Sequence, residues 1–159
     1  MPLDPDTFRS VLGRFAAGVT VVTARDAAGR DLGMTVSAFC SLSLEPPCIL
    51  VCIDRVAAMY DVLASAETFA VNILAAEQEA LSRRFAAADE HHRFDGIGFA
   101  RGSLGAVLLE DALAYLECRL VRCVDGGDHG IFIGEVIAAE ATDGRPLLYY
   151  RGGYAQLER

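Results

Sequence analysis

The chain has 159 residues, 53% of them apolar, with a net charge of −8 and a pI near 4.8. That length fits a single domain, 1–159, with a core of its own, and no apolar run approaches the roughly 20 residues of a membrane-spanning helix. All 14 Lys and Arg positions are arginine, so the charge excludes nucleic acid as the main partner, and any cationic pocket must be guanidinium-built, suited to phosphate or carboxylate.

Phe8, Val11, Leu12 and Phe15 form the stripe of a short amphipathic helix, with Gly18 as its stop. Residues 19–24 are β-branched and predict a strand, followed by a polar turn over 26–31 that contains Gly29. Residues 35–43 read as one strand ended by Glu45-Pro46-Pro47. Thr35, Ser37, Phe39, Ser41 and Ser43 share one face, and Val36, Ala38, Cys40 and Leu42 the other. The hydroxyl face suits either solvent or a planar ligand. The apolar run 48–53 predicts a strand buried on both faces.

Further on, residues 57–65 read as a helix with Met59, Val62 and Leu63 inward, and 68–74 as a strand interrupted by Asn72. A helix over 75–87 precedes a loop rich in Asp, His and Arg. Residues 114–124 form a long strand, and Gly126-Gly127-Asp128-His129-Gly130 turns it into an antiparallel partner over 131–140, with a last short strand at 147–150. Six or seven strands joined mostly by turns, with few short helices, favour a mainly β antiparallel barrel over a doubly wound sheet. The glycine-rich turn joins strand to strand, so it is not a dinucleotide fingerprint.

Cys40, Cys48, Cys52, Cys118 and Cys123 lack metal or redox spacing and sit largely among Val, Ile and Leu, as reduced thiols do. With no signal peptide at Met1-Pro2-Leu3-Asp4, this implies a cytoplasmic protein. His91 and His92 are adjacent and point apart, so no metal site is expected. No nucleophile elbow is present, and Glu110-Asp111 reads as solvated charge. The hydroxyl strand, the strand ending at Asp54-Arg55, and His129 in its turn remain. Their chemistry suits binding more than acid–base work. His129 is either an ordinary turn residue or one presented at a barrel mouth. The apolar excess predicts a homodimer.

Five segments, in order, resemble the flavin reductase family with the FMN-binding split-barrel fold: Phe15-Ala16-Ala17-Gly18-Val19-Thr20-Val21-Val22-Thr23; Gly33-Met34-Thr35-Val36-Ser37-Ala38-Phe39; Ser41-Leu42-Ser43-Leu44-Glu45-Pro46-Pro47; Phe69-Ala70-Val71-Asn72-Ile73-Leu74; and Gly127-Asp128-His129 with Ile133-Gly134-Glu135-Val136. The resemblance implies that Thr35, Val36, Ser37 and Ala38 lie along the isoalloxazine ring. It places Cys52, Asp54, Arg55, Ala58 and Met59 beside the ribityl chain and phosphate, where a helix start favours an anion. Phe85, Ala86 and Arg93 form a third flavin contact, while His129 and Tyr154 face the nicotinamide. The implied reaction is hydride transfer from NADH or NADPH to FMN or FAD by cofactor stacking, with no catalytic side chain, and the reduced flavin serves a separate monooxygenase. The alternative is a non-catalytic flavin- or haem-binding split-barrel protein, a carrier or sensor, with His91 or His92 as an axial haem ligand. Members often carry Gly-x-Pro before the strand that begins near Ala114; Gly105-Ala106-Val107 stands here, so that loop is expected to differ in shape.

Overall fold

The structure, a computed structural model, describes residues 1–158. The chain begins with α1 (Pro5–Leu12), β1 (Ala17–Gly18), β2 (Thr20–Arg25), β3 (Asp31–Val36), β4 (Phe39–Leu44), β5 (Pro47–Asp54), α2 (Ala58–Ser65) and β6 (Thr68–Ile73). A 3-10 turn at Ala76–Gln78 leads into α3 (Glu79–Ala86). Then come β7 (Phe99–Arg101), β8 (Val107–Leu109), β9 (Ala114–Gly126), β10 (His129–Ala141), β11 (Leu147–Tyr150) and β12 (Gly153–Gln156).

Seven strands form one antiparallel sheet in the order β3-β2-β6-β9-β10-β5-β4. Its two edge strands, β3 and β4, are consecutive in the chain and joined only by Ser37 and Ala38. A link of two residues cannot span an open sheet of seven strands, because neighbouring strands lie roughly 4.8 Å apart. The sheet therefore curls into a split barrel, as expected for the fold class. At the join, Phe39 N–H donates to the Ser37 carbonyl (2.9 Å) and Cys52 N–H to the Ala38 carbonyl (2.9 Å).

The barrel core packs Val22, Val36, Val51, Phe69, Val71 and Phe132 against Met59 and Leu63 of α2, which lies over β2, β3 and β5. A second core on the outer face of β2 gathers Val19, Val21, Leu74, Phe85, Val107 and Leu147. Side chains sew β8 onto this face. Thr23 Oγ1 donates to the Val107 carbonyl (2.7 Å), and Asn72 Oδ1 accepts from Leu109 N–H (2.8 Å) while its Nδ2 donates to the Val21 carbonyl (3.1 Å). Asn72 thus belongs to the strand it seemed to interrupt. Asn72→Leu should cost about 2–4 kcal/mol by stranding buried polar groups. A urea melt with an unchanged midpoint would contradict this.

Four expectations need correction. The predicted strand 35–43 is two strands with a corner at Ser37-Ala38, where small residues of modest β-propensity let the chain turn. The first helix stops at Leu12, because Gly13 caps it and its carbonyl accepts from Arg151 N–H (3.0 Å); Phe15 lies beyond it, 80% exposed. The strands most enclosed on both faces are β2 and β6, under the second layer, whereas Leu50 and Cys52 of β5 are only half-buried. The short strands β1, β7, β8 and β12 had no pattern long enough to register.

Candidate functional site

A cavity of about 170 Å³ lies between β3, the start of α2, the end of α3 and the loop that follows it. Thr35, Ala58, Met59, Phe85, Ala86 and Arg93, drawn from four separate segments, line it together. No side chain caps α2: its N-cap is Ala57, an alanine that has no oxygen to offer. Tyr60 N–H donates to the Ala57 carbonyl (3.0 Å), and the Ala58 and Met59 N–H groups are left for an external acceptor, with the positive end of the helix dipole behind them.

Arg93 faces the same space. Its Nη1 donates to the Gly33 carbonyl (2.7 Å) and Nη2 to the Ala87 carbonyl (2.5 Å), with the Glu90 carboxylate 4.0 Å away. Its Nε is buried without a partner, and the side chain is only 11% exposed. An orphaned guanidinium N–H beside an uncapped helix start is the donor set an anionic phosphate requires. Phe85 and Phe94 meet edge to face (5.0 Å) behind the cavity, and Gly33 is what lets them approach β3.

The segment from Thr35 to Ala38 joins this cavity to a second, larger one of about 580 Å³. Ser37, Ala38, Phe39, Leu50 and Cys52 line it, with Phe15 at its border. Val36, between the two, is buried in the barrel core with its carbonyl accepting from Thr20 Oγ1 (2.5 Å), so its side chain does not reach either cavity. Thr35 Oγ1 is likewise committed, donating to the Ser82 carbonyl of α3 (2.6 Å).

Arg55, and His129 and Tyr154, which the resemblance would set at the nicotinamide, line neither cavity. The Arg55 guanidinium pairs with the Asp125 carboxylate and donates to the Gly127 carbonyl (2.8 Å) and Tyr60 Oη (3.0 Å). That pairing holds Asp125 below the usual carboxylate range and raises Arg55. Asp54, paired in register with His129, accepts from Val56 N–H (3.0 Å). His129 Nδ1 lies 2.7 Å from Asp128 Oδ1, a contact that lowers the Asp128 carboxyl. Tyr154 Oη bonds Ser82 Oγ (2.8 Å), and its ring lies under Arg83 beside a separate cleft at the end of α3. Burial, then the nearby Cys40, pushes the Cys52 thiol up, and burial foremost raises Cys118 to about 12. Neither is poised as a thiolate.

Gly33, Ala57 and Glu90 also line the smaller cavity and were not singled out as contacts. Gly33 carried a signal, a glycine within a strand, which marks a close approach. Glu90 lies in an aperiodic loop and carried none.

A curled antiparallel sheet closed by α2, with a phosphate-ready cavity adjoining an apolar one, is the FMN-binding split-barrel fold. Residues 12–158 match the model of the flavin reductase like domain, and the chain belongs to that family. It is 39% identical over 157 residues to the HsaB reductase subunit of a flavin-dependent monooxygenase from Rhodococcus jostii (strain RHA1), covering 98% of this chain and 80% of that protein. A probable flavin reductase of Rhizobium meliloti (strain 1021) is 42% identical over 95% of this chain, which spans only 48% of that relative's length. Among solved structures, the Streptomyces globisporus NADH:FAD oxidoreductase SgcE6, in complex with NAD and FAD fragments, superposes with a TM-score of 0.91 at 38% identity, covering 99% and 96% of the two chains.

Proposed function

We propose that this protein is a single-domain NAD(P)H:flavin oxidoreductase that passes hydride from NADH or NADPH to FMN or FAD and supplies reduced flavin to a separate monooxygenase. The observation that carries the reading is Arg93, its Nε buried without a partner, lining one cavity together with the uncapped start of α2, while the Ser37-Ala38 corner lines the adjoining one. Bound flavin supplies the electron acceptor. The chain's own residues bind and orient. Arg93 and the α2 N–H groups hold the phosphate. Ala38 and Ser37 admit the ring to close backbone approach, and Cys52, Phe39 and Leu50 exclude water from one side of it. His129 orients the nicotinamide, with its Nδ1 engaged by Asp128.

The working form is a homodimer. Phe8, Val11, Leu12 and Phe15 are exposed, as are Leu42 and Leu44 of β4, and a second copy covering them would also wall the larger cavity. Five free thiols suit a cytoplasmic setting, and among the described residues no helix is long and apolar enough to cross a membrane. The haem alternative is disfavoured because His92 is tied to Asp95 (2.7 Å) and neither His91 nor His92 lines these two cavities.

Anaerobic mixing with NADH or NADPH and each of FMN and FAD should bleach the flavin band near about 450 nm. No bleaching with any combination would overturn the reading, and a Soret band after haem addition would favour the alternative.

A further inference from the structure

The turn that carries His129 is a tight hairpin tip that projects past the end of the β5–β10 ladder. Its two-residue loop is Gly127-Asp128, Gly126 precedes it, and Gly127 takes φ +85°, the left-handed conformation a two-residue hairpin loop requires. Residues 126–128 are all exposed. The ladder between β5 and β10 ends with His129 opposite Asp54, so the sheet holds the Gly127-Asp128 tip only through its own hairpin, where Gly126 pairs with His129, and not through β5.

Arg55 does so, with its backbone and all three guanidinium nitrogens. Its N–H donates to the Asp128 carbonyl (3.0 Å), carrying the ladder one residue past His129. Its Nε donates to the Gly127 carbonyl (2.8 Å), its Nη2 pairs with Asp125, and its Nη1 reaches Tyr60 Oη (3.0 Å). Asp125 in turn accepts from Gly127 N–H (3.2 Å). Tyr60 is packed edge to face on Phe132 (5.3 Å), so the far end of the clasp is anchored in the core. Gly130 makes room for it, since a Cβ there would lie 2.6 Å from the Tyr60 ring.

From this geometry we infer that Arg55 is a positioning residue for the nicotinamide site: with Asp125 it fixes the Gly127-Asp128-His129 turn to α2, and it does not bind the flavin phosphate. The inference rests on the proposed reductase activity, and it moves Arg55 away from the flavin role that the family resemblance implied. All three guanidinium nitrogens are occupied by protein, in contrast to Arg93. The planar fork suits this clasp because its three nitrogens each meet a different acceptor along fixed directions, whereas an ammonium offers its donors from a single nitrogen.

The test is steady-state kinetics with saturating flavin, alongside flavin titrations. Because the Arg55 and Asp125 side chains are largely exposed, their pairing adds little to global stability and the variants should fold. Arg55→Ala should raise KM for the dihydronicotinamide about tenfold, with kcat and flavin Kd within about twofold of wild type. Arg55→Lys should recover only part of that loss. Asp125→Asn, which leaves the other Arg55 contacts in place, should give a smaller rise in KM, and adding it to Arg55→Ala should add almost nothing. A rise in flavin Kd with KM unchanged would overturn the inference by returning Arg55 to the flavin. An active wild type with no KM change in either variant would overturn it alone, whereas an inactive wild type would overturn the reductase reading beneath it.

Discussion

Gly33→Ala should lower both thermal stability and flavin affinity, by about 1–3 kcal/mol and at least about tenfold respectively. A Cβ at this position would sit 2.5 and 2.7 Å from two ring carbons of Phe85 and 3.0 Å from Phe94. Phe85 is fully buried, with the partly buried Phe94 edge to face against it, so the Phe85 ring cannot swing aside into solvent. Relief must come from shifting β3 or the end of α3, and both line the smaller cavity. The Gly33 carbonyl also holds Arg93, so a displaced strand would carry the guanidinium with it. Gly153→Ala is the control, because its nearest neighbour would be an ordinary 3.9 Å contact, and it should change stability by less than about 0.5 kcal/mol. Thermal melts and quenching of flavin fluorescence read both quantities. A Gly33→Ala protein with unaltered affinity would show that the cavity does not hold the flavin.

The elements with a sustained period were legible in the sequence, and the places where the chain changes direction were not. The alternating pattern from Thr35 to Ser43 ran through Ser37-Ala38, the link that closes the barrel, but the corner resets the faces: Phe39, expected opposite Val36, packs on the same barrel core. The apolar run over β5 was ambiguous for another reason. A face that lines an apolar cavity has the same composition as one that meets protein, and Leu50 and Cys52 line the larger cavity. Arg55 stood where a phosphate ligand would stand, at a strand end before a helix, but its guanidinium is claimed by Asp125, 70 residues away. Local sequence has no access to such a partner. Arg93 is the converse: its loop has no periodicity, family resemblance alone singled it out, and the fold brings it to β3 and the start of α2.

Arg93→Ala should weaken FMN binding by about 10- to 100-fold while leaving riboflavin, which lacks the phosphate, within about threefold of wild type. The magnitude follows from one buried charge-assisted contact, worth about 1.5–3 kcal/mol, at about 1.4 kcal/mol per decade of affinity. The ratio of the two ligands matters more than either value. Losing the Nη bonds to Gly33 and Ala87 would loosen the loop and weaken both ligands alike, whereas loss of the donor that meets the phosphate weakens FMN alone. Arg93→Lys separates charge from geometry. It keeps a cation near the start of α2 but gathers its donors on one nitrogen and loses the planar fork whose separate nitrogens meet Gly33 and Ala87, so it should recover part of the FMN affinity. The FMN affinity of the wild type should also fall with added salt less steeply than for an exposed cation, because Arg93 is largely shielded from solvent. An Arg93→Ala protein that binds FMN as tightly as the wild type would place the phosphate outside this cavity, and with it the flavin.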